Sequence, residues 1–151
     1  GAVEEEFAFE GPRNPTLKLG LIGKVKDQNF NDLVKRLSST LDYKVKTMRF
    51  SDEIGRVAIA TGGGFVPSLV QEAKDRGCKT YVTGIITPNG SEYSKANFPA
   101  QLKAIDKIGI NIIGASHYLT EKWAMEFSIP YFRQLCPAKF IEDKSAYKRL
   151  E

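Results

Sequence analysis

The sequence predicts an α/β fold, because short apolar strands alternate with helices along most of its 151 residues. A strand of the buried type, residues 56–61, is followed by a glycine run and by a helix that begins at Pro67. A helix over residues 98–108 then leads through a glycine into another apolar strand, residues 110–113. This alternation favours βαβ units and a sheet with substantial parallel pairing.

Three elements are predicted before this central part. They are a strand over residues 17–25, a helix over residues 30–41 and a strand over residues 43–50. The apolar side chains of the helix recur every three or four residues, which gives it one buried face. The second strand places its residues alternately on two faces, and we expect one of them to be partly exposed.

A strand and a long loop are predicted between the central helix and the helix over residues 98–108. The strand covers residues 80–83, and the loop covers residues 86–99 with a turn at Asn89 and Gly90. Loops of this length are often functional or mobile. Both a lid over a site and a disordered surface insertion fit this segment.

The C-terminal region is predicted as a helix followed by a strand. The helical pattern covers residues 120–135 but contains Pro130, which removes a backbone hydrogen bond. We therefore expect a kink, or a new helix capped by Ser128. A last strand is predicted over residues 138–142.

The chain is predicted to form one domain, residues 1–151, because it has no clear repeat, low-complexity tract or linker-like segment. The acidic N-terminal segment, residues 1–15, and the charged tail, residues 144–151, are expected to be flexible.

Composition excludes several classes of function. The hydrophobic fraction of 42% and charged fraction of 26% are typical of a globular domain, and no apolar run approaches the roughly 20 residues that span a bilayer. The net charge is +4, and the basic residues are scattered along the sequence rather than grouped in a basic stripe, so a nucleic-acid partner is not favoured. This modest positive charge also suits an anionic small molecule. Cys78 and Cys136 are far apart in sequence, and we expect two free thiols in a cytoplasmic protein.

The segment 114–121 contains the only histidine, His117, and places Glu121 four residues after it. Imidazole and carboxylate are common metal ligands, and four residues make about one helical turn, so both side chains can face one point. The segment follows an apolar strand, where open α/β sheets usually bind their ligands. An isolated histidine is also often structural, and two ligands are fewer than a zinc, magnesium or manganese site needs. We therefore predict a candidate half-site.

Glycines follow two other predicted strands. Thr83 and Gly84 end one of them, and a run lies between the other strand and a helix N-terminus: Thr61, Gly62, Gly63 and Gly64. Glycines allow a ligand to approach the backbone, and amides at a helix N-terminus favour an anion. We predict that these six residues bind an anion or substrate, the alternative being tight turns without a ligand.

Four motifs together resemble the NIF-three-like family, which is also known as the GTP cyclohydrolase type I, type 2 homologues. They are Arg-Val-Ala-x-Ala-Thr-Gly-Gly-Gly over residues 56–64, Val-Thr-Gly over 82–84, Gly-x-x-His-Tyr-x-Thr-Glu over 114–121 and Lys-Phe-Ile-Glu-Asp over 139–143. Their order and spacing are similar to those of the family. The resemblance covers residues 17–143 and implies a three-layer α/β fold with a mixed sheet.

The resemblance also implies a pocket that holds two divalent metals and assembly into ring-like homo-oligomers. His117 and Glu121 match the two C-terminal metal ligands of the family, and the triple glycine, 62–64, would border the same cavity. The metal would be zinc, iron, manganese or magnesium. The implied activity is that of a metal-dependent hydrolase of the GTP cyclohydrolase kind, or metal handling.

This sequence departs from the family pattern in its metal ligands. The family's N-terminal half supplies a His-His pair and an aspartate, which nothing here matches, so the resemblance is to a C-terminal half: a fragment, a split protein or a diverged member. The family motif Thr-Gly-Glu reads Thr-Gly-Ile here, so Ile85 stands in place of the family's glutamate. Glu92, which follows seven residues later, is the nearby carboxylate that can substitute for this glutamate. A missing N-terminal half is therefore an expected partner, and the chain alone is expected to lack the complete metal site. Two alternatives stay open: a non-catalytic binding or assembly module, and a nucleotide-binding domain that uses only the triple glycine.

Overall fold

The computed structural model describes residues 1–11, 14–88 and 90–142. In chain order its elements are β1 (Ala2–Gly11), β2 (Asn14–Lys24), α1 (Phe30–Leu41), β3 (Lys46–Met48), β4 (Arg56–Ala60), α2 (Pro67–Asp75), β5 (Cys78–Thr83), α3 (Glu92–Ile108), β6 (Asn111–Gly114) and α4 (His117–Phe132). None of the helices within the described ranges combines the length and the apolar character that a membrane crossing requires.

The strands form one mixed sheet in the order β1-β2-β4-β5-β6-β3. Strands β4, β5 and β6 are parallel, and helices α2 and α3 provide the crossovers between them, as βαβ units require. Strands β1, β2 and β3 pair in antiparallel fashion at the two sides of this centre. The predicted α/β fold with a mixed sheet is confirmed.

Helices cover both faces of the sheet and produce three layers. Ala58, Tyr81 and Ile112 belong to the core on the side of α2 and α3. The next side chain along β5, Val82, and the next along β6, Ile113, belong to the core on the side of α1. Alternate residues of each central strand are thus buried on opposite faces, which explains why these strands are apolar throughout.

Helix α1 begins and ends where the sequence predicts. The Asn29 side chain caps it by accepting a hydrogen bond from the Asp32 amide at 3.1 Å. Asp42 ends the helix in the left-handed conformation, with φ of 48°.

Both cysteines are free thiols, as the sequence predicts. Cys78 is buried and Cys136 is exposed.

The N-terminal segment forms an edge strand, whereas the sequence predicts flexibility over residues 1–15. Strand β1 pairs with β2, and the Phe9 side chain is completely buried in the core. Arg56 donates hydrogen bonds to Glu4 at 2.6 Å and to Glu5 at 2.8 Å. The sequence suggests that these acidic side chains face only solvent, but the structure pairs Glu4 and Glu5 with Arg56 of β4.

The predicted loop over residues 86–99 is shorter than expected, because α3 already begins at Glu92. The Ser91 side chain caps the helix by accepting a hydrogen bond from the Ser94 amide at 3.1 Å. Pro99 lies inside this helix rather than at its start. Gly109 ends it in the left-handed conformation, with φ of 72°, as a C-terminal glycine commonly does. Asn89 of the predicted turn lies outside the described residues.

Helix α4 is longer at its start than predicted. It begins at His117 rather than at residue 120, because Ser116 caps it there. It also continues through Pro130 without a new start at Ser128, whose hydroxyl donates to the Met125 carbonyl at 2.7 Å.

The predicted strand over residues 138–142 is wrong, since this segment has no strand structure. It is bonded to α4 instead of to an edge of the sheet. Arg133 donates to the Ala138 carbonyl at 2.9 Å, and Lys122 donates to the Glu142 carboxylate at 2.7 Å. The predicted flexible tail, 144–151, lies outside the described residues.

Candidate metal half-site

The candidate site lies at the carboxyl ends of the three parallel strands. Strands β4, β5 and β6 end at Ala60, Thr83 and Gly114, and their parallel pairing brings these ends to one edge of the sheet. The Ala115 amide donates to the Thr83 carbonyl at 2.8 Å, which joins the segment before α4 to the end of β5. The structure therefore brings the glycine run, Gly84 and His117 together at this edge.

Ser116 directs the start of α4 into this edge. Its side chain is the N-cap and accepts a hydrogen bond from the Leu119 amide at 3.3 Å. Ser116 is fully buried and has φ of 69°, a conformation that costs a non-glycine residue about 1–3 kcal/mol. Such strain is maintained only where the surrounding structure imposes it, here at the entry to the candidate site.

His117 and Glu121 face each other across the first turn of α4. The distance from His117 Nε2 to Glu121 Oε2 is 3.1 Å, and both side chains are about half exposed. The predicted spacing of one helical turn is therefore found, and it brings the imidazole nitrogen and the carboxylate oxygen into direct contact. Solvent reaches both groups.

Hydrogen bonds fix Gly62 between α4 and the end of β5. The Gly62 amide donates to Thr120 Oγ1 at 3.1 Å, and the Gly62 carbonyl accepts from the Gly84 amide at 3.1 Å and the Ile85 amide at 3.3 Å. Thr83 Oγ1 lies 3.4 Å from the same carbonyl and donates to it. The amides of Gly62 and Gly84 thus already donate hydrogen bonds within the protein, and Thr83 and Gly84 hold the loop at Gly62.

The glycines allow the backbone to come close to the side chains of His117 and Glu121. A Cβ on Gly62 would overlap the Glu121 carboxylate and lie 3.1 Å from His117 Nε2. A Cβ on Gly84 would lie 2.8 Å from the Cα of His117, a backbone atom that cannot turn aside. Gly63 differs, because its Cβ would meet only His117 Cε1, at 3.7 Å.

The last glycine of the run is bonded to a residue that the sequence did not single out. The Tyr81 hydroxyl donates to the Gly64 carbonyl at 2.7 Å, and the Tyr81 ring is completely buried. Burial raises the pKa of the Tyr81 phenol, so this hydroxyl stays protonated and remains a donor. Thr61, the first residue of the predicted binding loop, is exposed just after the end of β4.

The residues present fit half of a metal site. His117 and Glu121 supply one nitrogen and one carboxylate, whereas zinc sites use three or four protein ligands. Within residues 1–11, 14–88 and 90–142, no group of three His, Cys, Asp or Glu side chains is placed to hold an ion. Glu92, the predicted substitute, pairs with Lys95 at 2.8 Å on the surface of α3, with 91% of its side chain exposed.

Comparisons with known proteins agree with this fold. The family model described as Duf34/NIF3 (NGG1p interacting factor 3) matches residues 4–143. The solved structure of protein ybgI, described as of unknown function, is similar with a TM-score of 0.64 and 20% identity, over 94% of this chain and 51% of that one. The Bacillus cereus protein related to NIF3 is similar with a TM-score of 0.57 and 18% identity, over 83% of this chain and 35% of that one.

A curated relative was also found, the vacuolar protein sorting/targeting protein 10 of Kluyveromyces lactis. It is 28% identical over 115 residues, which are 76% of this chain and 7% of that protein. The chain thus spans about half or less of each of these three proteins. At these identities the solved structures show the fold alone.

Proposed function

The chain belongs to the Duf34/NIF3 family, and we propose that it binds a divalent metal through His117 and Glu121, in a site that further ligands from outside this chain complete. The observation that carries the proposal is the 3.1 Å separation of His117 Nε2 and Glu121 Oε2 at the carboxyl edge of a parallel sheet. Zinc, iron, manganese and magnesium are all compatible with one imidazole and one carboxylate. This chain spans only 51% of a similar solved structure, so the additional ligands can come from another chain or segment.

The finer part of the proposal is a metal-dependent hydrolase of the GTP cyclohydrolase kind. A bound divalent ion would supply a Lewis acid and a water of lowered pKa. The residues of this chain hold the two ligands in place, and the exposed Gly63 backbone offers an anionic substrate a close approach. Thr83 and Gly84 contribute by holding Gly62. A cytoplasmic location, in keeping with two free cysteines, is part of the same proposal.

Metal titration of the 151-residue chain tests the metal-binding part. We expect the wild-type protein to bind Zn²⁺ or Mn²⁺ weakly in isothermal titration calorimetry, and His117→Ala to weaken that binding at least about tenfold. Glu121→Gln should have a similar effect. Glu92→Gln is the matched control, because Glu92 is an exposed carboxylate that pairs with a lysine three residues away. Equal affinities in the wild type and His117→Ala would remove the proposal.

The second candidate is a binding or assembly module without catalysis. Two observations favour it: the described residues provide no third ligand, and Ile85 occupies the position of the family acid. The module should keep its melting temperature in a chelator, whereas a metal that stabilises the native state would make the melting temperature fall on chelation. A fall of several degrees would contradict the module.

A further inference from the structure

Thr120 lies between the two candidate ligands on the first turn of α4 and connects that turn to the glycine run. Its hydroxyl oxygen accepts a hydrogen bond from the Gly62 amide at 3.1 Å. The same hydroxyl shares its one hydrogen between the carbonyls of Ser116, at 2.9 Å, and His117, at 3.1 Å. Thr120 is therefore bonded both to the loop after β4 and to the start of the helix that carries the ligands.

Gly62 is held from two directions. Its carbonyl accepts hydrogen bonds from the Gly84 amide at 3.1 Å and the Ile85 amide at 3.3 Å, so the segment after β5 holds its carbonyl side. The Thr120 hydroxyl holds its amide side. The position of Gly62 relative to α4 thus depends directly on the hydrogen bond to Thr120.

This position matters because the Gly62 backbone lies against both candidate ligands. A Cβ on Gly62 would overlap the Glu121 carboxylate and lie 3.1 Å from His117 Nε2. A backbone that lies this close limits the space into which the carboxylate can move. It therefore favours the observed arrangement, in which the carboxylate is 3.1 Å from the imidazole nitrogen.

We propose that Thr120 is a positioning residue for the metal half-site: its hydroxyl holds the Gly62 backbone against Glu121 and so keeps the carboxylate beside His117 before a metal ion binds. Thr120 acts through Gly62 and not as a ligand, because its hydroxyl is already bonded to one amide and to backbone carbonyls. Residues that orient metal ligands typically change metal affinity by about 10–100-fold. The inference rests on the proposed function, since it concerns how the ligands of that site are held.

Thr80 offers a matched comparison for a hydroxyl that stabilises the fold alone. Its buried side chain on β5 donates a hydrogen bond to the Ile54 carbonyl at 2.8 Å. Ile54 precedes β4, so this bond lies towards the amino ends of the parallel strands, away from the candidate site. Valine in place of either threonine removes a hydroxyl that bonds to the backbone and keeps the branched shape of the side chain.

Calorimetric titration with Zn²⁺ compares the wild type with Thr120→Val, Thr120→Ser and Thr80→Val. We expect Thr120→Val to weaken binding about tenfold and Thr120→Ser, which keeps the hydroxyl, to stay within about twofold of the wild type. Thr80→Val should be less stable in urea but bind Zn²⁺ as the wild type does.

The possible failures of this titration are distinguishable. Wild-type affinity in Thr120→Val, or an equal loss in Thr80→Val, would overturn the role of Thr120 and leave the proposed function intact. A wild-type protein that binds no metal would remove the proposed function and this inference with it.

Hydrogen exchange of the wild-type protein gives a second test that needs no variant to fold. If the Thr120 hydrogen bond favours metal binding, metal binding must favour that bond by the same factor. Saturating Zn²⁺ should therefore slow exchange of the Gly62 amide, by up to about tenfold, more than that of the Phe50 amide. The Phe50 amide is the control, because it donates to the Asn111 side chain at 2.8 Å. Equal slowing at the two amides, or none at either, would overturn the inference.

Discussion

Gly62 lies directly against the Glu121 carboxylate, and only a residue without a side chain allows this contact. A Cβ at this position would overlap a carboxylate oxygen and come within 2.8 Å of Glu121 Cδ. Gly62 also has φ of 62°, in the left-handed region. A side chain at this position is therefore disfavoured for two reasons, one conformational and one steric.

Gly62→Ala should weaken metal binding more than it weakens the fold. The Glu121 carboxylate is the end of a flexible side chain and can move away from the new methyl group, which separates it from His117. The left-handed conformation, with φ of 62°, adds a stability cost of about 1–2 kcal/mol for alanine. Calorimetric titration with Zn²⁺ and urea unfolding measure the two effects separately.

Gly63→Ala is the control for this prediction. Its Cβ would make an ordinary contact of 3.7 Å with His117 Cε1, so both stability and metal affinity should stay close to those of the wild type. Equal metal affinity in Gly62→Ala and Gly63→Ala would show that the Gly62 contact does not position Glu121.

Ser116 allows a second prediction, because its cap and its strained conformation have opposite effects on stability. Ser116→Ala loses the hydrogen bond to the Leu119 amide and keeps the positive φ, so we expect a loss of about 1–2 kcal/mol. Ser116→Gly also loses that hydrogen bond but relieves the strain. Urea unfolding should therefore find Ser116→Gly the more stable of the two variants; the reverse order would contradict the strain at this residue.

The sequence predicts local relationships of the site better than those that depend on tertiary structure. His117 and Glu121 face each other because four residues make one helical turn, and this follows from their spacing alone. Tyr81 supports Gly64 from another strand, and no local pattern indicates that contact. Thr120 lies within the family motif, but its bond to the Gly62 amide spans 58 residues.

The incorrect predictions about the fold have the same cause, namely tertiary contacts that no local pattern indicates. The acidic residues of β1 look solvated until Arg56, some fifty residues away, is placed beside them. Pro99 and Pro130 suggest helix boundaries, but both lie inside helices that tertiary context maintains. The boundaries of α1 were predicted correctly because its apolar spacing is a local pattern.

Asn111 provides a third prediction, because it is buried and holds the segment after β3. Its side-chain oxygen accepts from the Phe50 amide at 2.8 Å and the Ser51 amide at 3.0 Å, and its nitrogen donates to the Glu53 carbonyl at 3.1 Å. Asn111→Leu leaves these groups unpaired and should lower the free energy of unfolding by about 2–4 kcal/mol. Chemical denaturation measures this loss. Asn97→Leu, at an exposed position on α3, should change stability by less than about 1 kcal/mol, and comparable losses would contradict a special role for Asn111.

The ion pair of Asp27 and Arg36 predicts a dependence of stability on pH. Arg36 donates to both Asp27 oxygens, at 2.8 Å and 2.6 Å, and these hydrogen bonds hold the pKa of Asp27 below its ordinary value. Because the folded pKa is depressed, the contribution of the pair is present above the unfolded pKa and is lost as pH falls through the folded pKa. Arg36→Met should therefore cost about 1 kcal/mol at neutral pH, and the difference from the wild type should shrink in acid.

Urea unfolding of both proteins from about pH 7 down to about pH 2.5 measures this convergence. Lys79→Met is the control, because Lys79 pairs with Glu53 on the surface, where their side chains are 53% and 63% exposed. Its effect at neutral pH should be smaller than that of Arg36→Met, since solvent screens an exposed pair. A difference between the wild type and Arg36→Met that stays constant throughout the acid range would show that the arginine stabilises the protein by packing and not by its charge.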